Sequence, residues 1–173
     1  MNWKKGWIIV AALGFLTAGW TATGYGFPEA AFIGRPAKNF TLKDLQSKNV
    51  SLSDFRGKVV LLNFFSTWCP PCRTEIPDLV NISKKTGRKD FVVLGISLDT
   101  DDVPMVVKQY VREMNIPYSV LIGKPGVVED YQVFGIPTTF LITKDGKINK
   151  RFEGLVPQKQ FEKALNKLLG EKS

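Results

Sequence analysis

A near-continuous apolar run at 58–65 leads directly into the segment that holds both cysteines of this 173-residue chain. Its Val and Leu residues do not alternate with polar ones, which predicts a strand buried on both faces of a sheet. Residues 69–85 then predict a helix with Pro70 and Pro71 in its first turn, where a backbone N–H is not needed. This strand–cysteine–helix unit predicts a sheet covered by helices.

The rest of the chain continues the alternation of strands and helices. The predicted elements are short strands or turns at 39–45 and 49–55, a strand at 91–98, a helix from Asp101 or Asp102 to about 114, a strand at 118–122, a short helix at 127–134, a hairpin of 138–142 with 147–152, and a helix at 157–169. In the second helix we expect the apolar face to carry Met105, Val106, Tyr110 and Val111. This order predicts an α/β fold with a central mixed sheet and helices on both faces.

The N-terminus is typical of a membrane anchor. Lys4 and Lys5 precede a segment, 6–28, that contains no charged residue. About 20 apolar residues span a bilayer, and a positive end stays in the cytoplasm. We therefore expect a signal-anchor helix at 1–28, a linker at 29–34 and an extracytoplasmic domain at 35–173. A cleaved signal peptide is the alternative, and it also places the domain in an oxidising compartment outside the cytoplasm.

Composition excludes several kinds of chemistry. The net charge is +8, but the sequence lacks the stripe of interleaved basic and aromatic residues that would predict nucleic-acid binding. The chain has no histidine, which excludes Ser-His and Cys-His pairs and a His-ligated zinc site. Arg73 follows Cys72, so there is no haem-attachment motif, and two cysteines alone do not complete a zinc site. The sequence predicts no cofactor and no metal.

The two cysteines, Cys69 and Cys72, suit disulfide exchange. Cys69 falls at the start of the predicted helix, where free N–H groups and the helix dipole favour its thiolate. Cys72 lies about one turn further on, more shielded, and is placed to resolve a mixed disulfide formed by Cys69. A static disulfide is an alternative, although so short a loop removes little entropy from the unfolded chain. Half of a metal site shared between two chains is another.

A second motif, at 135–140, places a proline directly before a predicted strand. Pro137 in this position fits a cis peptide bond in a tight turn. It fits equally an ordinary trans proline that ends a helix. The residues alone leave both possibilities open.

Together these motifs resemble a known family. The segments 68–72 and 136–138, with Pro77, resemble the active-site helix and cis-proline loop of the thioredoxin fold. The fuller pattern is similar to membrane-anchored, extracytoplasmic thioredoxin-like proteins of the TlpA/ResA type. That pattern consists of 34–37, 40–42, 52–58, 63–65 and 72–77, and the resemblance extends over about 34–170.

The resemblance implies both a site and a function. It implies that Pro137 is cis and lies beside the cysteines, where the neighbouring backbone of Ile136 and Thr138 pairs with a substrate strand. We expect Trp68 to shield the site, and plain packing is the alternative role for its side chain. The resemblance further implies an extracytoplasmic thiol-disulfide oxidoreductase that reduces selected proteins, with apocytochrome c the leading candidate. A membrane thiol reductant would supply the electrons. Thiol peroxidase is one alternative function. Peroxiredoxins, however, have a Thr three residues before the reactive cysteine, whereas Thr67 stands two residues before Cys69. A non-catalytic module that binds thiol proteins is the other alternative.

One position departs from thioredoxin itself. Asn63 stands where thioredoxins carry a buried aspartate, and an amide cannot take a proton from Cys72. Glu75 lies three residues after Cys72, hence on the same helix face. Our hypothesis is that Glu75 is partly buried near the thiols and assists proton transfer to or from Cys72. An exposed helix glutamate without such a role is the alternative.

Overall fold

The computed structural model describes residues 32–86, 89–100 and 103–170. The predicted anchor at 1–28 lies outside the described residues, as do the two candidate capping residues Asp101 and Asp102. Within the described ranges no helix combines the length and the apolar character needed to cross a bilayer.

The described elements follow the predicted order. They are β1 (Thr41–Lys43), β2 (Asn49–Ser51), a 3-10 helix (Leu52–Phe55), β3 (Val59–Phe65), α1 (Pro70–Thr86), β4 (Phe91–Ser97), α2 (Val103–Glu113), β5 (Ser119–Ile122), α3 (Pro125–Asp130), β6 (Thr138–Ile142), β7 (Ile148–Glu153) and α4 (Gln158–Leu169). Helix α3 begins and ends earlier than the predicted 127–134, because Pro125 occupies its first turn and Gln132 has a positive φ of 47°.

The main sheet is mixed, as predicted, and has the strand order β5-β4-β3-β6-β7. Strand β3 lies at its centre, parallel to β4 and antiparallel to β6. Strands β1 and β2 form a separate antiparallel pair. Since all seven residues of β3 are buried, the strand that precedes the cysteines is covered on both faces.

Alternate residues of β3 enter different apolar clusters. Val60, Leu62 and Phe64 face the side covered by α3 and by the segment before β2. Val59 and Leu61 face the opposite side, against α1 and α4. A third cluster, between α1 and α2, contains both cysteines and Phe65 at the end of β3. The cysteines are therefore part of the apolar interior.

The predicted apolar face of α2 is partly wrong. Tyr110 is buried, but Met105 is 69% exposed and Val106 is 40% exposed. Val107, which is fully buried, takes their place against α1. Counting from Val107, the helical period brings Tyr110 and Val111 onto one face and turns Met105 to the other.

Candidate active site

Both cysteines lie where the central strand passes into α1. Cys69 and Cys72 form a disulfide, and they are 2% and 0% exposed. The Cys72 N–H points at the Cys69 sulfur over 3.2 Å, as expected for a residue in the first turn of a helix. The same N–H is in position to stabilise a thiolate on Cys69 once the disulfide is reduced.

The proline loop packs against this disulfide. The Ile136–Pro137 peptide bond is cis, as the resemblance implied, and the Ile136 carbonyl oxygen lies 3.8 Å from the Cys69 sulfur. Pro137 is buried, and its carbonyl accepts the Gly154 N–H at 2.9 Å. The Thr138 hydroxyl turns back to the Gly135 carbonyl at 2.7 Å. Cys69 and Ile136, which are 67 positions apart along the chain, are thus in contact at the Cys69 sulfur.

Trp68, just before Cys69, presents most of its side chain to solvent, with 69% exposed. Two other large apolar side chains on neighbouring loops are also exposed, Phe134 before the proline loop and Leu155 after β7. The disulfide is therefore buried between loops that carry exposed apolar side chains.

Glu75 is buried in the protein interior, with only 1% of its surface exposed. The Val156 N–H donates to its Oε1 at 3.3 Å, and the Asn63 amide donates to its Oε2 at 3.1 Å. The Thr139 hydroxyl lies 3.5 Å from Oε2. Burial raises the pKa of Glu75 to about 7, although these hydrogen bonds oppose the rise. The alternative of an exposed glutamate is therefore wrong.

Asn63 has a role that the sequence did not reveal. Its Nδ2 donates to Glu75 and also to the Thr139 hydroxyl at 2.8 Å. Thr139 is its direct partner across the β3–β6 pair, so sheet register brings the two together. An amide at this position supplies a donor to the Glu75 carboxylate, which an ionised aspartate cannot do.

Asp99 is a further residue that sequence reasoning missed. It is 9% exposed and accepts hydrogen bonds from the backbone and hydroxyl of Thr67, two residues before Cys69. Its position in the sequence could have indicated this contact. Asp99 follows the second buried strand, and the carboxyl ends of neighbouring parallel strands lie at the same edge of a sheet.

A helix-start disulfide that follows a central buried strand and faces a cis-proline loop defines a thiol-disulfide oxidoreductase with a thioredoxin-like fold. The comparisons with known proteins agree. The chain belongs to the AhpC/TSA family, whose model matches residues 33–151. It also belongs with the ResA thiol-disulfide oxidoreductases, as its identity to them over most of both chains shows.

The relatives match most of the chain. The thiol-disulfide oxidoreductase ResA of Bacillus thuringiensis subsp. konkukian is 39% identical over 137 residues, which is 79% of this chain and 78% of that protein. The thioredoxin-like protein YneN of Bacillus subtilis is 31% identical over 167 residues, covering 95% and 97% of the two chains. A crystal structure of a thiol:disulfide interchange protein from Chlorobium tepidum superposes with a TM-score of 0.70 at 31% identity, over 78% of this chain and 96% of that one.

Proposed function

We propose that this protein reduces disulfides on the extracytoplasmic side of the membrane, with the haem-site cysteines of apocytochrome c as its substrate during cytochrome c maturation. The observation that carries the proposal is the Cys69 sulfur, placed between the Cys72 N–H and the Ile136 carbonyl. This arrangement suits a thiolate nucleophile at Cys69, next to the Ile136 backbone, with which an extended substrate segment can pair.

The reaction proceeds by two exchanges. The Cys69 thiolate of the reduced protein attacks one sulfur of the substrate disulfide, and the other substrate sulfur leaves as a thiolate. Cys72 then attacks the Cys69 sulfur of the mixed disulfide. The substrate departs as a dithiol, and the protein keeps the Cys69–Cys72 disulfide seen here. Two electrons pass from protein to substrate.

Glu75 suits the proton transfer that the second exchange needs. Cys72 must lose its proton before it attacks, and Glu75 lies one helical turn away on α1. Because burial raises its pKa to about 7, the Glu75 carboxyl can both accept and return a proton near neutral pH.

The proposal also includes a place in the cell. The uncharged segment at 6–28 after two lysines supports a single membrane span with a cytoplasmic N-terminus. An oxidising compartment would convert the dithiol to the disulfide, so continued reduction requires an electron supply. A membrane thiol reductant that carries electrons out of the cytoplasm meets this need.

The geometry does not favour the peroxidase alternative. Ser66 stands three residues before Cys69, where peroxiredoxins have a threonine. The nearest threonine is Thr67, and its hydroxyl donates to Asp99 at 2.6 Å. Cys72 would also compete for any oxidised form of Cys69. Turnover of hydrogen peroxide by the purified protein, at a rate comparable with disulfide exchange, would revive that alternative.

Substrate trapping in the native host tests the proposal. The Cys72→Ser variant of the full-length chain retains Cys69 but cannot resolve the mixed disulfide, so substrates stay attached. We expect c-type apocytochromes among the proteins released by reductant from the purified adducts.

The Cys69→Ser/Cys72→Ser double variant is the matched control and should carry none of them. If the single variant captures other thiol proteins but no apocytochrome, the substrate assignment is wrong while the exchange activity stands. Protease access to the domain in intact spheroplasts tests the membrane orientation separately.

A further inference from the structure

Asp99 binds the loop that leads into the cysteines. Each of its carboxylate oxygens lies 3.1 Å from the Thr67 N–H, and Oδ1 also accepts the Thr67 hydroxyl at 2.6 Å. Oδ2 accepts the Ser97 hydroxyl at 2.6 Å. Since Asp99 is only 9% exposed, water competes weakly for these charge-assisted bonds.

The sheet places Asp99 and Thr67 next to each other. Strands β3 and β4 are parallel, with Phe65 opposite Ser97 at their carboxyl ends. Thr67 and Asp99 each lie two residues beyond that last pair. The contact therefore follows from the register of two inner strands of the sheet, and β4 supports the cysteine loop through it.

Arg73 holds the other side of the same residue. Its Nη1 donates to the Thr67 carbonyl at 3.2 Å, and its guanidinium lies 5.1 Å from the centre of the Tyr110 ring. Thr67 is thus bound by an acidic side chain at its N–H and by a cation at its carbonyl. Trp68 and Cys69 follow directly in the chain.

We propose that Asp99 is a positioning residue for disulfide exchange, which holds Thr67 so that the Cys69 sulfur stays against the Cys72 N–H after the disulfide is reduced. In the oxidised protein the covalent bond between the sulfurs holds Cys69 in place. After reduction that tether is gone. The 3.2 Å contact between the Cys72 N–H and the sulfur then depends on the Cys69 backbone, which bonds to Arg73 in α1 and to Ser66 in the loop that Asp99 holds. If the loop moved freely, the Cys69 thiolate would accept the Cys72 N–H for a smaller fraction of the time.

Two neutral substitutions separate this positioning from the charge of Asp99. Asp99→Asn keeps an oxygen that accepts from Thr67 and an amide that can donate to Ser97, whereas Asp99→Ala keeps neither. We expect the reduced, full-length Asp99→Ala protein to react with a small aromatic disulfide reagent about tenfold more slowly than Asp99→Asn at neutral pH. The pH midpoint of Cys69 alkylation by iodoacetamide should also be higher in Asp99→Ala.

A second pair keeps the test decisive if Asp99→Ala does not fold. Thr67→Val removes the hydroxyl that donates to Asp99 with little change of shape, whereas Thr67→Ser keeps a hydroxyl at this position. We expect Thr67→Val to react several times more slowly than Thr67→Ser, the loss of about one hydrogen bond.

Asp44 offers the matched control. Its carboxylate accepts the N–H groups of Gln46 and Lys48 at 2.9 Å in a turn between β1 and β2. Asp44→Ala and Asp44→Asn should react at the same rate and with the same pH midpoint. The proposal is overturned if the Asp99 pair, or the Thr67 pair in its place, also gives equal rates and equal midpoints.

Discussion

The Asn63 side chain donates a hydrogen bond of 3.1 Å to the Glu75 carboxylate inside the protein, where each residue is 1% exposed. Asn63 comes from the central strand and Glu75 from the helix that begins with the cysteines. The pair places an acid that can gain or lose its proton near neutral pH one helical turn from Cys72.

Glu75 should make the stability of the oxidised protein depend on pH. Burial raises its pKa from 4.5 to about 7 in the folded protein, so the folded state keeps a proton that the unfolded state releases between these values. The free energy of unfolding should therefore fall as the pH rises from about 4.5 to about 7, by on the order of 3 kcal/mol.

Glu75→Gln has no such proton to lose, and its stability should fall much less over the same range. Urea unfolding of both disulfide-bonded proteins at a series of pH values measures the difference. Glu113→Gln, at an exposed glutamate, should follow the wild type. Equal pH dependence in wild type and Glu75→Gln would contradict the assignment.

Asn63→Asp should shift the loss of stability to a higher pH range. The substitution replaces the amide donor with a second carboxyl about 3 Å from Glu75, and two carboxylates so close cannot both ionise easily. We expect the loss of stability to continue above the pH at which the wild-type curve levels off. Asn149→Asp makes the same change on an exposed strand position and should leave the wild-type curve in place.

Glu75→Gln should also slow the resolving step of the exchange. If Glu75 takes the proton from Cys72, its loss should lower the rate of that step by about 100-fold. Release of glutathione from a mixed disulfide on Cys69, followed by stopped flow across pH 5 to 9, measures the step directly.

Asp78→Asn, on the same helix, is the control for a changed charge near the site and should have a smaller effect. The proton-transfer hypothesis fails if Glu75→Gln releases glutathione at the wild-type rate and with an unchanged pH profile.

The apolar contact between α4 and the sheet should contribute strongly to stability. Phe161 is 1% exposed, and its ring centre lies 4.7 Å from that of Phe152 on β7. Phe161→Ala should lower the free energy of unfolding by about 3 to 5 kcal/mol, from lost burial and the cavity left behind. Phe134→Ala, at a position 66% exposed, should lower it by less than about 1 kcal/mol in the same urea titration.

Local patterns predicted the elements well because their causes are local. The apolar run of β3, the prolines of the first helical turn and the period of α4 each depend on residues close together in the chain. The period of α2 does not by itself define which face is buried. Its first turn carries apolar residues on more than one side, and only packing against α1 decides that Val107 is buried and Met105 is not.

Local sequence patterns were enough to predict a buried strand that leads into a helix-start cysteine pair, and the family resemblance implied the cis-proline loop. The surroundings of that pair depend on the tertiary fold. Glu75 is bound by Val156, 81 residues further along the chain, and Thr67 is bound by Asp99, 32 residues away. Such partners follow from strand register and from the packing of helices on the sheet, which join residues that no local pattern links.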